Sequence, residues 1–285
     1  GTIQSWDVAY YSTKYKATLG VDEAKIREYF PLEHVKSEIL STYQNLLGLE
    51  FTRVDAEVWH EEVECYSVRE ADGDRRVLGF FYLDLFPRPG KYSHQCVYPL
   101  RPSFTDGDDV TTAACVNIGN LSKPGEDGAP ALLRFREVET FFHEFGHVMH
   151  CVLSESKYSV HAWAWSAVPW PGGVEQDFLE VPSMMLENFV WQPEVLRRLS
   201  KHHVTGERLG DDDIAALSAS RGALEGYARS RFISMALFDL AVHGGPGPYE
   251  FKGKTYETVE FYNVITAELS KVPRVEGAFP GASWY

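Results

Sequence analysis

The sequence predicts an α+β domain that is predominantly α-helical and carries a small β-sheet. Three observations lead there: helical periodicity over the first 48 residues, a block of strand-like segments between about 58 and 119, and helical periodicity again from Ala131 almost to the end. Strands grouped in one block, rather than alternating with helices, argue against repeated βαβ units.

Residues 5–48 hold two helical stretches. The clearer runs from Leu32 to Leu47, where Val35, Ile39, Leu40, Tyr43, Leu46 and Leu47 recur at helical spacing. VWHEEVECYSV (58–68) and VLGFFYLDLF (77–86) read as strands, and READGDRR between them is a turn segment, so the pair forms a hairpin. TTAACVNIG (111–119) is a third strand, before the loop NLSKPGEDGAP. The stretch from Tyr82 to His94, with Arg88, Gly90 and Lys91, reads as a hairpin loop, the alternative being an edge strand beside a cleft. ALLRFREVETFFHEFGHVMHCVL (131–153) is long enough for five or six helical turns. The loop HAWAWSAVPWPGG (161–173) follows, and helical patterning resumes over 174–189, 194–203, 211–242 and 256–270.

Composition narrows the function. The 285 residues are 44% hydrophobic, enough for a substantial core, in one large domain or two small ones. The 41 acidic against 27 basic residues leave a formal charge of -14, which repels phosphate backbones and anionic membranes. Nucleic acid and membrane surfaces are therefore excluded as partners. Cys65, Cys96, Cys115 and Cys151 form no C-x-x-C pair and are expected to be reduced thiols of a cytoplasmic protein. No targeting segment and no run of about 20 apolar residues is found. Gly1 and the apolar ending FPGASWY read as cuts, so a fragment is expected.

The segment HEFGH carries the chemistry. His143 and His147 lie four apart, so on a helix both imidazoles leave one face and can take two positions on a zinc ion, with Glu144 beside them to take a proton from a bound water and pass it to a leaving amine. Phe141, Phe142, Phe145, Val148 and Met149 mark a largely buried helix, where unpaired histidines are costly. Downstream, VEQDFLEVPSMMLENF offers Glu175, Asp177, Glu180 and Glu187 as a third ligand on a second helix. The metzincin pattern fails because His150 and Leu153 stand where it needs glycine and histidine, so the third ligand is a carboxylate.

These residues also carry a resemblance. REVETFFHEFGHVMH and DFLEVPSMMLENFVW, supported by WDVAYY, EYFPLEHV, LLGLEF, VWHEEVECY and FYLDLFPRPGKYSH, are similar to the thimet oligopeptidase and neurolysin family over nearly the whole chain. The resemblance implies a zincin-type catalytic domain with one Zn2+, Glu180 as third ligand, Glu144 as general base, and endopeptidase action on short peptides. The peptidyl-dipeptidase and mitochondrial intermediate peptidase branches are the near alternatives. A noncatalytic zinc-binding module is the alternative of another class. Two departures are expected from the resemblance: a connection from His147 to Glu180 longer than in the family, and a chain without the family's N-terminal helical half and the tyrosine-rich segment that would follow Tyr285. Because that segment supplies the oxyanion donors, the chain is expected to bind zinc with little or no turnover.

Glu139, one helical turn before His143, is expected to accept that histidine's second ring N–H, a reading supported by the glutamate that the resembling family has at the matching position. Glu187, two turns beyond Glu180, is placed to do the same for a ligand or to form a buried ion pair. His150 and His60 are expected to be packed rather than ligating. The tryptophan-rich loop 161–173 is expected to border the substrate cleft.

Overall fold

The computed structural model describes residues 2–72, 76–125, 127–162, 173–175 and 177–283. The chain divides into two compact units, Asp22–Ile214 and the pair of segments Gly1–Val21 and Ala215–Tyr285.

The chain opens with α1 (Val8–Thr18), which belongs to the smaller unit; the larger unit begins with α2 (Glu23–Arg27) and α3 (Leu32–Leu47). The predicted limits of α3 hold. Pro31 is extended before it, and Gly48 ends it at φ 66°, a left-handed cap that suits a residue without Cβ. Leu32, Val35, Ile39, Leu40 and Tyr43 form its buried stripe.

Strands β1 (Leu49–Val54), β2 (Glu64–Glu70), β3 (Val77–Asp84), β4 (Cys96–Arg101) and β7 (Ala113–Ile118) make a five-stranded sheet of order β1-β2-β3-β7-β4. The small hairpin of β5 (Phe104–Asp106) and β6 (Asp109–Thr111) stands apart from it. The predicted hairpin is present, since β2 and β3 run antiparallel with Glu64 opposite Leu83. β3 and β7 are parallel, and β4 runs antiparallel to β7. β4 is thus an edge, with Pro99 in it and a register shift between Pro99 and Arg101. The reading of residues 82–94 as a hairpin loop is corrected, because β3 and β4, which the stretch joins, are separated by β7; the alternative of an edge strand at Tyr82 fails as well, since β3 lies between β2 and β7.

Strand pairing also starts later than predicted, at Glu64 instead of residue 58. Residues 59–62 turn, and the Trp59 Nε1–H donates to Asp84 Oδ2 at 2.9 Å. Asp84 is almost wholly buried at the end of β3. Arg88 grips it with two bonds of 2.6 and 2.7 Å, and the Lys91 ammonium finds three acceptors, Asp84 Oδ1, Asp84 O and Phe86 O. Burial pushes the Asp84 carboxyl up, but Arg88, Lys91 and Trp59 outweigh it and hold the group well below the usual range. The loop leading to β4 is thereby fixed at its root.

Helix α4 (Phe135–Leu153) packs on this sheet. One open N–H at its start is satisfied by Glu137, whose carboxylate accepts from the Arg134 N–H at 2.7 Å. Val138, Phe141, Phe142, Phe145, Val148, Met149 and Val152 are buried, as the apolar flanks of HEFGH require. Phe145 meets Tyr43 of α3, Phe51 of β1 and Phe81 of β3, with ring centroids 4.8, 5.8 and 5.2 Å away. The Tyr43 hydroxyl donates to Phe142 O at 2.6 Å.

Helix α5 (Val181–Glu187) is shorter than the predicted 174–189. Pro182 lacks the N–H that a helix interior needs and fits only a first turn, so Glu180 stands at the N-cap position and residues 177–180 form a turn. Helix α6 (Pro193–Leu199) follows, then α7 (Asp211–Ser220) and α8 (Glu225–Gly244) in place of one predicted helix, divided where Leu224 takes φ 63°. The smaller unit ends with the hairpin β8 (Tyr249–Phe251) and β9 (Lys254–Tyr256) and with α9 (Thr258–Ser270). Phe238, Phe261, Tyr262 and Ile265 form its core. Among the described residues no helix is long and apolar enough to cross a membrane.

Phe145→Ala removes the ring on which α3, α4 and the sheet converge. We expect a loss of about 3–5 kcal/mol in the urea unfolding free energy, the range for a buried phenylalanine. An unchanged midpoint would contradict the place given to this ring.

Candidate metal centre

His143 and His147 are held by α4, and its burial explains their precision. The apolar face locks the helix against the sheet, leaving the two imidazoles one turn apart with ring centroids 5.0 Å from each other. Glu180 is brought to them by the turn before α5. Its Oε2 lies 3.1 Å from His147 Nε2 and 3.3 Å from His143 Nε2. Among the described residues, His143, His147 and Glu180 are the set of three whose donor atoms gather within 4.8 Å.

Glu175 and Asp177 are exposed and outside this cluster. Glu187 accepts from His143 Nδ1–H at 3.0 Å, which fixes the tautomer and leaves Nε2 facing Glu180. Glu139 Oε1 accepts from the Trp191 Nε1–H at 2.7 Å, whereas the His143 Nδ1 bond goes to Glu187 of the second helix and not to the preceding turn of its own. His150 lies outside the cluster, its ring 6.2 Å from Phe178. His60 is in the turn before β2 and accepts from the Glu62 N–H. Of the tryptophan-rich loop, residues 163–172 lie outside the described residues.

Two residues of this region were not singled out from the sequence. Gly146 packs directly on the start of α5, where a Cβ would come 2.7 Å from Ser183 Cα. Ser183 is wholly buried, and its Oγ lies 2.8 Å from Glu180 Oε2. Both stand inside segments already quoted, Gly146 as the fourth letter of HEFGH and Ser183 as the serine of DFLEVPSMMLENFVW.

The donor set fits a zinc ion. Two ligands each about 2.0–2.1 Å from a tetrahedral ion stand about 3.3 Å apart, close to the two Nε2–Oε2 separations. Two imidazoles and a carboxylate suit zinc better than magnesium or calcium, which take oxygen. The cluster is open on one side, the Glu180 side chain being 51% exposed against 4% for His147.

Charge is tuned around it. Burial lowers the His143 pKa, but the Glu187 hydrogen bond and the Glu144, Glu180 and Glu187 charges outweigh it and leave it raised. His147 is lowered, because its burial outweighs Glu180. Glu144 is buried on α4, and that burial, with Glu180 nearby, pushes its carboxyl up to about 7, opposed by His143 and by the Val97 backbone of β4. A carboxyl poised near neutrality can both accept and return a proton.

The sequence profile of peptidase family M3 matches residues 1–278. The chain belongs to peptidase family M3. This M3 chain is 37% identical to the thimet-like oligopeptidase of Dictyostelium discoideum over 98% of its own length and 40% of that protein's. It is 36% identical to saccharolysin of Saccharomyces cerevisiae, over 84% of the chain and 33% of the relative. With oligopeptidase A of Salmonella typhimurium it shares 32% over 98% of the chain and 40% of the relative. The M3 chain therefore spans less than half the length of these relatives.

Gly146→Ala separates local propensity from packing. In a helix interior alanine is favoured over glycine by about 1 kcal/mol, while overpacking against a backbone costs about 1–3 kcal/mol. Since the neighbour is the Ser183 backbone, we expect a net fall in melting temperature; a rise would show that α5 gives way freely.

Proposed function

We propose that this chain is the zinc-holding, zincin-type part of a metallopeptidase that cleaves short peptides at internal bonds, with His143, His147 and Glu180 as ligands and Glu144 as general base. The observation that carries it is the convergence of both Nε2 atoms on Glu180 Oε2 beside the buried Glu144, in a chain of family M3. The oligopeptidase names of its relatives agree with the substrate class.

Zinc bound there supplies a Lewis acid for the scissile carbonyl and a water of lowered pKa. Glu144 takes the proton of the attacking water and delivers it to the leaving amine, a shuttle that its near-neutral pKa favours. Glu187 keeps the His143 imidazole in one tautomer with Nε2 toward the donor cluster. The open edge of β4, whose Val97 lies against Glu144, offers backbone groups to an extended peptide in the manner of an added strand.

Two measurements test this. Zinc content of the purified chain should fall sharply in Glu180→Ala and stay near the parent value in Glu175→Ala; equal content in both variants defeats the ligand assignment. Glu144→Gln should keep its zinc and lose turnover of an internally quenched peptide, measured on the longest natural polypeptide that contains these residues. Zinc binding with no turnover by the unmutated polypeptide would favour a noncatalytic zinc module instead.

A further inference from the structure

We infer that Ser183 is a positioning residue that holds the Glu180 carboxylate in the donor cluster, across a clearance provided by Gly146. The inference rests on the reading of Glu180 as a metal ligand and deepens it.

Glu180 is poorly restrained by its own surroundings. Its side chain is 51% exposed and belongs to a turn, in front of a helix of seven residues. A free glutamate in that setting samples many rotamers, and a ligand that must first be ordered binds metal more weakly. His143 and His147 do not supply the order in advance, since they are the other ligands. The group that does is Ser183. It has no exposed surface, and its Oγ lies 2.8 Å from Glu180 Oε2 and 3.0 Å from Glu180 O. The charged oxygen is nearer and the stronger acceptor. A carboxylate has about four lone-pair positions, so a bond from Ser183 and a bond to metal are compatible.

Ser183 is itself fixed by the backbone. It sits on Gly146, with Pro182 O and Ser183 N each 3.3 Å from where a Cβ at that glycine would be. Gly146 stands in the turn of α4 between the two histidines, so the serine is registered against the same helical turn that carries the other two donors. The arrangement parallels that of Glu187 on His143: each side chain facing the cluster from the α5 side is steadied by, or steadies, a partner there.

The experiment is the zinc dissociation constant of the 285-residue chain, read by competition with a chromophoric chelator. The variants are Ser183→Ala, Ser183→Thr, Glu180→Ala and the double variant Glu180→Ala/Ser183→Ala, each checked for folding by thermal unfolding without metal. Ser183→Ala should weaken zinc binding by about 10- to 100-fold, the usual effect of removing a partner that orients a ligand. Ser183→Thr, which keeps the hydroxyl, should restore most of that loss. In the Glu180→Ala background the serine change should have little further effect, because the two act as one unit. Unchanged affinity in Ser183→Ala overturns the inference, as does an equal loss with and without Glu180, which would mark Ser183 as packing alone. If Glu180→Ala itself leaves affinity intact, the ligand assignment fails, and that arm identifies the cause.

Discussion

How closely two backbones can approach at Gly146 governs the candidate site. Helix α4 brings two histidines, but a two-histidine pair gains its third donor only if the chain returns within a few ångströms of the same helical turn. The absent Cβ at Gly146 allows that return, putting the first turn of α5 against α4 and Glu180 Oε2 within 3.3 Å of both imidazoles. The tertiary burial of α4 does the rest. Phe145, wedged among Tyr43, Phe51 and Phe81, ties the helix to α3 and to the sheet, so the histidine face is as rigid as the core behind it.

The same burial sets the electrostatics. His147 and Glu144 occupy the same helix within one turn, and loss of water disfavours the charged form of each. For the histidine the consequence is a neutral ring with a lone pair available to a metal. For the glutamate it is a carboxyl that releases its proton near neutrality, which an exposed glutamate does not. One helix thus places a neutral imidazole and a carboxyl that titrates near neutrality in one environment, the two states that the proposed ligand and base require.

Sequence patterning was most legible where punctuation was strong. Pro31 and Gly48 bracket α3, and the predicted limits Leu32 and Leu47 are those observed. It was least legible where tertiary bonds compete with local pattern. Residues 58–63 alternate like a strand, yet Trp59 is drawn to Asp84 and the segment turns. The hairpin at 249–256 was passed over although Lys252 and Gly253, at φ 52° and 73°, make the kind of tight turn that a strand pair favours. At the site, the H-E-x-x-H spacing fixed two donors by helical geometry alone. Four downstream carboxylates could not be ranked that way, because Pro182 delays α5 and the selection is made by a turn and not by a helix face. Glu139, one turn before His143, was the expected partner of its second ring nitrogen; the folded chain instead brings Glu187 to Nδ1 across 44 residues of sequence, a long-range approach that local spacing does not encode.

The edge strand β4 shows a further compromise. Any open sheet edge exposes unpaired backbone groups, and those groups do not distinguish a short peptide from the edge of another protein molecule. Pro99 removes one N–H from that edge, and the register shift between Pro99 and Arg101 breaks its regular spacing. A strand long enough to pair along all of β4 would meet both interruptions, whereas a short one beside Val97 need meet neither. Those two interruptions work against the extended sheet-to-sheet pairing that leads to aggregation.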